Sequence, residues 1–400
     1  VSSTIALSAL PSLLAACGML AIGALLADRV TLLSRFSIPA PIVGGLLFAI
    51  LTLLLQQFAG IGFSRDTTTR STLLLLFFAS IGLTADLSLL RRGGPRLLRF
   101  LAALFPFLIM QDAVGIVMAQ FLGLHPALGL VAGSITLIGG HGTGAAYAER
   151  FAADYGLLGV MGLTMTSATI GLVIGGVLGG PVAGSLIRRV GALPAAQECG
   201  DVIGGPAKRP VTTSTLTVAL VAVLVAVIAG QAVSGALEGS AVTVPSFLWC
   251  LLVGLVLRNV LAAVGLSLPD AATELIGSFS LSLFLVWTMM NLDLVSVVAL
   301  AGPLLIILAV QTVLVALWAR VVVFRICGRD YEAAVSAGAF CGFAMGATAT
   351  AIANIQAVTR RYGPAPESFV VVPIVGAFFV DLMNLAVLTF FLIPGLVVGR

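Results

Sequence analysis

Long apolar runs recur along this chain, parted by short clusters of arginine, proline and glycine. A helix needs about 20 such residues to cross roughly 30 Å of hydrocarbon. The runs are unbroken rather than alternating apolar and polar, so they read as helices and not as strands of a barrel. In the first half the pattern predicts helices over residues 5–27, 39–58, 71–90, 97–122 and 156–187. Pro39 and Pro41 fall in a first turn, where proline costs little, and Arg91, Arg92 and Arg96 mark a tight basic turn before the fourth helix. Residues 127–155 break the count. Their apolar part before Gly139 is only about a dozen residues, too short to span. The glycines of GSITLIGGHGTGAAY (133–147) interrupt it, and a more polar arm follows. Descent, break and return predict a re-entrant hairpin.

Residues 188–210 form the one polar linker, carrying Glu198, Asp201, Lys208 and Arg209. The plan then repeats: a helix over 211–237, one opened by Pro245, one ending near Asn291 and Asp293, one with Gln311 mid-span, a hairpin over about 330–362, and a helix over 369–397. Matching marks support duplication. Gly140-x-x-x-Gly144-Ala145 answers Gly342-x-x-x-Gly346-Ala347, Asp86-Leu87 answers Asp293-Leu294, Gln111 answers Gln311, and Tyr155-Gly156 answers Tyr362-Gly363. The expected fold class is therefore an all-α polytopic membrane protein of about ten transmembrane helices. Its two five-helix halves, residues 1–187 and 211–400, each contain a re-entrant hairpin. An odd number of crossings per half makes the repeat inverted.

Composition agrees. The chain is 60% hydrophobic and 9% charged, against about 25% charged in soluble domains. On this topology sixteen of the 20 basic residues lie on one side, and only Arg65, Arg70, Arg150 and Arg400 on the other. That bias places the basic side in the cytoplasm and both termini outside. The first hairpin then enters from outside and the second, bracketed by Arg329 and Arg360-Arg361, from the cytoplasm. The net charge of +4 is accounted for by orientation, so no nucleic-acid partner is expected. The cysteines (Cys17, Cys199, Cys250, Cys327, Cys341) show no metal or C-x-x-C spacing and read as small apolar residues. The N-terminus lacks a basic region ahead of its first apolar run, so no cleaved secretory signal is expected.

Non-helical backbone survives in a bilayer only where protein or water covers it. Two hairpin tips meeting near the midplane from opposite faces form the arrangement that secondary transporters use for a substrate site. The first candidates are the glycine tips, Gly140, Gly142 and Gly144 with Gly346. Their N–H groups, and helix starts at Ala145 and Ala347, would face a carboxylate; the bland alternative is helix packing through small residues. His141 lies between tip glycines and is read either as a substrate contact or as structural, whereas His125 sits in a loop beside Pro126 and is read as structural. Asp381, with Asn384 one turn on, lies inside the last helix, where an aspartate costs roughly 2.5–3.5 kcal/mol and needs a partner. It reads as a Na⁺ ligand, as a counter-charge for an ammonium group, or as one side of a salt bridge. Gln111-Asp112 raises the same question on the fourth helix, with a helix–helix hydrogen bond as the alternative. Ser134, Thr136 and Thr143 of the first hairpin and Thr348, Thr350 and Asn354 of the second would line a polar cavity, or cap backbone. Thr350 and Asn354 share a face by their spacing of four. No nucleophile elbow or H-E-x-x-H pair is present and two histidines leave little for acid–base work, so no enzyme and no cofactor is expected.

Six stretches carry a resemblance. GSITLIGGHGTGAAY, CGFAMGATATAIANIQAVTRRYGP (341–364), VVPIVGAFFVDLMN (371–384), IPAPIVGGLL (38–47), ASIGLTADL (79–87) and GSFSLSLFL (277–285) closely resemble the bacterial sodium/glutamate symporter family. The resemblance covers essentially the whole chain. It implies a homodimeric carrier of the bacterial inner membrane that imports L-glutamate, or a related small anion, with Na⁺ as coupling ion by alternating access. A hairpin-bearing domain would move against a fixed scaffold. Ile138 and Ala349 stand where a small polar residue and a proline are expected, a departure that bears on fine selectivity. A Na⁺-coupled carrier of a di- or tricarboxylate is the alternative, and an anion channel a weaker one.

Overall fold

The computed structural model describes the chain apart from residues 1–2, 8, 31–38, 60, 66–67, 88, 158, 192–209, 238–244, 291–293 and 393–400. The polar linker and the predicted end at Asn291 and Asp293 thus lie outside the described residues. In the first half run β1 (Ser3–Leu7), α1 (Ala9–Arg29), α2 (Ala40–Ala59), β2 (Ile61–Arg65), α3 (Thr68–Thr84), α4 (Leu89–Phe121), α5 (Pro126–Leu130), α6 (Gly140–Tyr155) and α7 (Val160–Val190). The second half contributes α8 (Thr213–Ala236), α9 (Ser246–Ala263), α10 (Asp270–Met289), α11 (Leu294–Trp318), α12 (Phe324–Ile326), α13 (Tyr331–Tyr362), α14 (Pro366–Ile374) and α15 (Val380–Phe391). Among the described residues, π turns at Ala319–Val323 and Val375–Phe379 interrupt continuous helices, and a third π-type stretch, Val131–Ile135, is broken at Gly133 (φ −107°, ψ −137°).

Among the described residues seven helical stretches are long and apolar enough to cross a membrane, and Ala40–Leu55, Thr69–Thr84, Pro126–Ile135 and Val380–Phe391 are shorter apolar helices. The chain is a helical polytopic membrane protein. Three boundaries differ from the sequence reading. The first helix begins at Ala9 rather than residue 5, and residues 3–7 pair in parallel with β2, Ser3 opposite Ile61. Pro11 explains the late start: it tolerates only a first turn, because deeper in a helix it removes a hydrogen bond and clashes with the preceding carbonyl. The third helix stops at Thr84 instead of residue 90. There Asn259 Nδ2 donates to the carbonyl of Ala85 at 2.9 Å, satisfying a terminal acceptor that another turn would otherwise have taken. The fifth begins at Val160 rather than residue 156, because Gly156 and Gly159 hold φ of +62° and +73° and keep the chain out of a right-handed helix.

Packing divides the chain into two compact units. One comprises Val1–Ala85, Leu157–Gly162 and Pro210–Ala299. Its core gathers Ala79, Leu83, Val223, Ala226 and Cys250 from α3, α8 and α9. Gly82 and Gly254 let α3 and α9 touch backbone to backbone: a Cβ on Gly254 would sit 2.7 Å from the carbonyl oxygen of Ala79. Small residues at such crossings supply the van der Waals contact that holds helices together in lipid, where no hydrophobic drive acts between them. The other unit comprises Asp86–Gly156, Leu163–Arg209 and Leu300–Arg400. Its α4 is broken at Gly94, whose φ of 60° and ψ of −163° make the basic turn read from the sequence. Beyond it, Phe107 packs edge-on against Phe340 at 5.0 Å, and Trp318 Nε1 donates to the carbonyl of Ala103 at 3.0 Å.

Candidate functional site

Every candidate residue lies in the second unit. Its first hairpin is built from α5, a π turn and α6. His125 opens α5 by accepting the N–H of Ala127 on Nδ1 at 3.2 Å, and its ring packs against Tyr155, the last residue of α6, at 4.9 Å. The two ends of the segment therefore meet. Partial burial holds the His125 pKa below the usual histidine value and keeps Nδ1 an acceptor at neutral pH. Gly140, at φ +68°, starts the return arm, five residues before the expected start at Ala145. Only glycine takes that φ without strain. The N–H groups free at the helix start are thus those around Gly140, His141, Gly142 and Thr143.

The second hairpin is α13, helical in its local backbone yet not a rod. Gly338 and Asn354 would stand about 24 Å apart in a straight helix, but Asn354 Nδ2 donates to the carbonyl of Gly338 at 3.2 Å. Tyr331 donates its hydroxyl to the carbonyl of Gly363, closing the base as His125 and Tyr155 close the other hairpin. Acidic groups fasten this base. Asp330 caps the helix by accepting from Ala333 N at 2.7 Å and pairs with Arg96 at 2.6 Å; Arg96 also pairs with Glu367. Glu332 accepts from the backbone N–H of Glu367 and Ser368 at 3.1 and 3.0 Å.

Between the hairpins runs α4, and the pair Gln111-Asp112 holds both. Asp112 accepts the backbone N–H of Ser134 on Oδ1 and its hydroxyl on Oδ2, each at 2.8 Å. The Ser134 carbonyl accepts Asn384 Nδ2 at 3.3 Å, so every polar atom of Ser134 is engaged. Gly133 makes the approach possible, since a Cβ there would lie 2.7 Å from Asp112 Oδ1. Gln111 Nε2 donates to the carbonyl of Ala344 in the second hairpin at 3.0 Å, and Gln311 Nε2 donates to the carbonyl of Gln111 at 2.8 Å. All four side chains of this knot, and Gln311, are buried. Three of its oxygens, Gln111 Oε1, Gln311 Oε1 and Asn384 Oδ1, are buried without a hydrogen-bond donor. An unsatisfied buried acceptor costs about 1–3 kcal/mol, and amide oxygens are the type of ligand a hard cation takes.

Asp381 lies one turn before Asn384, is half-buried, and makes no hydrogen bond or ion pair among the described residues. It directly follows the π turn Val375–Phe379, whose Gly376 carbonyl accepts the hydroxyl of Thr348 at 3.3 Å. The remaining candidates are engaged locally. Thr136 shares a 2.7 Å hydrogen bond with Ser167, and His141 Nε2 lies 3.1 Å from the hydroxyl of Thr169. Thr350 donates to the carbonyl of Gly346 at 2.7 Å, and Asn354 also donates to that of Gly175 at 2.9 Å. Thr143 packs on Gly139, and Gly144 lies against Thr164. No hydrogen bond among the described residues joins His141 or Thr143 to Asp381 or Thr348. Gln311, known from the sequence only as a repeat mark, is the chief residue the reading did not place in the site; a glutamine deep in an apolar helix is the signal that finds it.

The profile of the family described as sodium/glutamate symporter matches residues 5–364. A sodium/glutamate symporter of Escherichia coli is 43% identical over 398 residues, covering 98% of this chain and 99% of that protein. Another from Haemophilus influenzae is 41% identical over 377 residues, covering 92% and 93%. Among solved structures, a sodium proton antiporter of Methanocaldococcus jannaschii aligns at 15% identity with a TM-score of 0.33, below the level at which a shared fold follows. The match along nearly the whole length places this chain in the sodium/glutamate symporter family.

Proposed function

We propose that the protein carries L-glutamate into the cell together with Na⁺ by alternating access. The observation that carries this reading is the knot on α4, where one dipeptide holds both hairpins and leaves acceptor oxygens unused. The symporters of Escherichia coli and Haemophilus influenzae named above support the choice of substrate and ion. Na⁺ would be held by Asp381, Asn384 and the Gln111-Asp112 pair. Glutamate carboxylates would face the N–H groups of the first turn of α6, where a helix start carries about half a positive charge. The tip residues of α13, Gly346 and Thr348, would approach from the other hairpin, with Ser134, Thr136, Gly144, Thr350 and Asn354 setting the walls.

The finer architecture belongs to the same proposal. Ten crossings in two inverted halves make both hairpins re-entrant, with both termini outside the bacterial inner membrane and two copies forming a homodimer. The equivalent closures at His125–Tyr155 and Tyr331–Gly363 support the repeat. We place the motion in the hairpin-bearing unit, as an elevator against the other unit.

Coupling has a physical bound. Glutamate carries one net negative charge, so one Na⁺ leaves the step blind to membrane potential. A second makes it electrogenic, adding about 2.3 kcal/mol per 100 mV. At least two Na⁺ are expected. The test is sodium-gradient uptake of labelled glutamate in proteoliposomes, with citrate, malate and aspartate as competitors. Uptake should require Na⁺, saturate, and rise with an inside-negative potential. Stronger competition by citrate or malate than by unlabelled glutamate would overturn the substrate, and indifference to potential the stoichiometry.

A further inference from the structure

A second polar feature of the hairpin-bearing unit lies away from the knot. A cavity of about 480 Å³ opens beside the ends of α7 and α13 and is lined by Arg188, Arg320 and Arg361. All three arginines are exposed, and none makes an ion pair among the described residues; Arg361 lies over the ring of Tyr362 at 5.3 Å. No acidic side chain lines the cavity among the described residues. Three unneutralised guanidinium groups around one space repel one another, and an anion bound between them removes that cost.

Two of the three have a local reason to be there. Arg188 and Arg361 stand in the last turns of α7 and α13, where a cation offsets the helix dipole by about 0.3–1 kcal/mol. Arg320 has none. It sits in the π turn Ala319–Val323, within a helical run that continues to Ile326. Single π turns inside α-helices concentrate at functional sites, and another among the described residues, Val375–Phe379, directly precedes Asp381. The turn at Ala319–Val323 brings Arg320 to this cavity.

The walls say which anion fits. Apart from the arginines, Ser185 and Tyr362, the lining is apolar, with Gly180, Pro181 and Val358. A Cβ built on Gly180 meets nothing within 4 Å, so the space beside it is open. An amphipathic cavity, carrying three cations on an otherwise largely apolar lining, matches a phosphate diester with acyl chains better than a fully hydrated dianion. Arginine forms bidentate hydrogen bonds to phosphate, and basic pockets between transmembrane helices hold anionic lipid head groups. We infer that this cavity is a binding site for one anionic phospholipid, its phosphate among Arg188, Arg320 and Arg361 and its glycerol region against Gly180 and Val358. The inference needs only that the chain spans a membrane, and it stands whichever way transport or sidedness is resolved.

Purified, delipidated protein titrated with phosphatidylglycerol, phosphatidylethanolamine or inorganic phosphate tests it, with bound lipid read by native mass spectrometry and stability by thermal melting. One tightly held phosphatidylglycerol is expected, raising the melting temperature, with at least tenfold weaker retention of phosphatidylethanolamine and no saturable phosphate binding. The triple variant R188Q/R320Q/R361Q should lose that preference. Gly180→Leu, which fills open space and leaves every arginine in place, should lose the lipid while keeping the lipid-free melting temperature. Undiminished phosphatidylglycerol retention by both variants would sink the proposal. Inorganic phosphate or glutamate displacing the lipid from wild-type protein would overturn it in favour of a small-anion site.

Discussion

Removing Asp112 gives the sharpest test of the knot. Its carboxylate accepts two hydrogen bonds from Ser134, both at 2.8 Å and both buried. In water-soluble proteins bonds to a charged acceptor contribute about 1.5–3 kcal/mol each. In a membrane the unfolded reference also finds partners, and interhelical bonds average about 0.6 kcal/mol with a maximum near 1.7. The membrane scale is the appropriate one here, and charged acceptors belong near its top, so two bonds together contribute roughly 3 kcal/mol. Asp112→Ala forfeits both and strands the Ser134 N–H. Asp112→Asn keeps an acceptor for that N–H and turns an amide donor toward the Ser134 hydroxyl oxygen, so its loss should be about 1 kcal/mol or less. The expected order of melting temperature in detergent is wild type, then Asn, then Ala well below. A double-mutant cycle with Ser134→Ala should return a coupling of about 0.6–1.7 kcal/mol for the side-chain bond. Uptake separates structure from ion binding: Asp112→Asn should melt near wild type yet lose most of its Na⁺ stimulation. An Asp112→Ala variant that melts with wild type and a cycle that returns zero would refute the knot as a holding element.

Asp381→Asn should abolish Na⁺ dependence of uptake while leaving melting unchanged, because the carboxylate has no partner to lose among the described residues; normal sodium-stimulated uptake would remove Asp381 from the site. Gly140→Val should block transport, since a β-branched residue at φ +68° strains the tip by roughly 1–2 kcal/mol or more; a fully active variant would mean that the tip does not need this turn. The His125 cap should respond to pH with a definite sign. Its folded pKa is lowered by burial, so its contribution is present above the unfolded value of about 6.5 and is lost as pH falls through the lower folded value. Wild-type melting should therefore drop more steeply below that range than melting of His125→Asn, which caps without titrating there; parallel curves would count against the cap.

Much of this protein was legible from composition and pattern. Apolar run length fixes the membrane class, because no water-facing surface can be built from so few charges. The glycine runs mark both hairpins, because only backbone without Cβ turns so tightly at Gly140 or admits Asp112 beside Gly133. The bases of the two hairpins are closed by residues at the ends of each segment, His125 with Tyr155 and Tyr331 with the Gly363 carbonyl. Boundaries were less legible where a single distant contact decides them, as Asn259 does for the end of α3. What sequence could not assign was the partner of each polar atom. Ser134 meets Asn384 across 250 positions, and Gln111 meets Ala344 across 233. Hydrophobicity is a property each residue carries alone, so it can be read along a line. Hydrogen-bond satisfaction belongs to pairs, and folding chooses those pairs by bringing distant backbone and side chains to within about 3 Å. Asp381 read from its position in the chain as an ion or ammonium contact ahead of a salt bridge; only the packing around it left its carboxylate without a partner among the described residues.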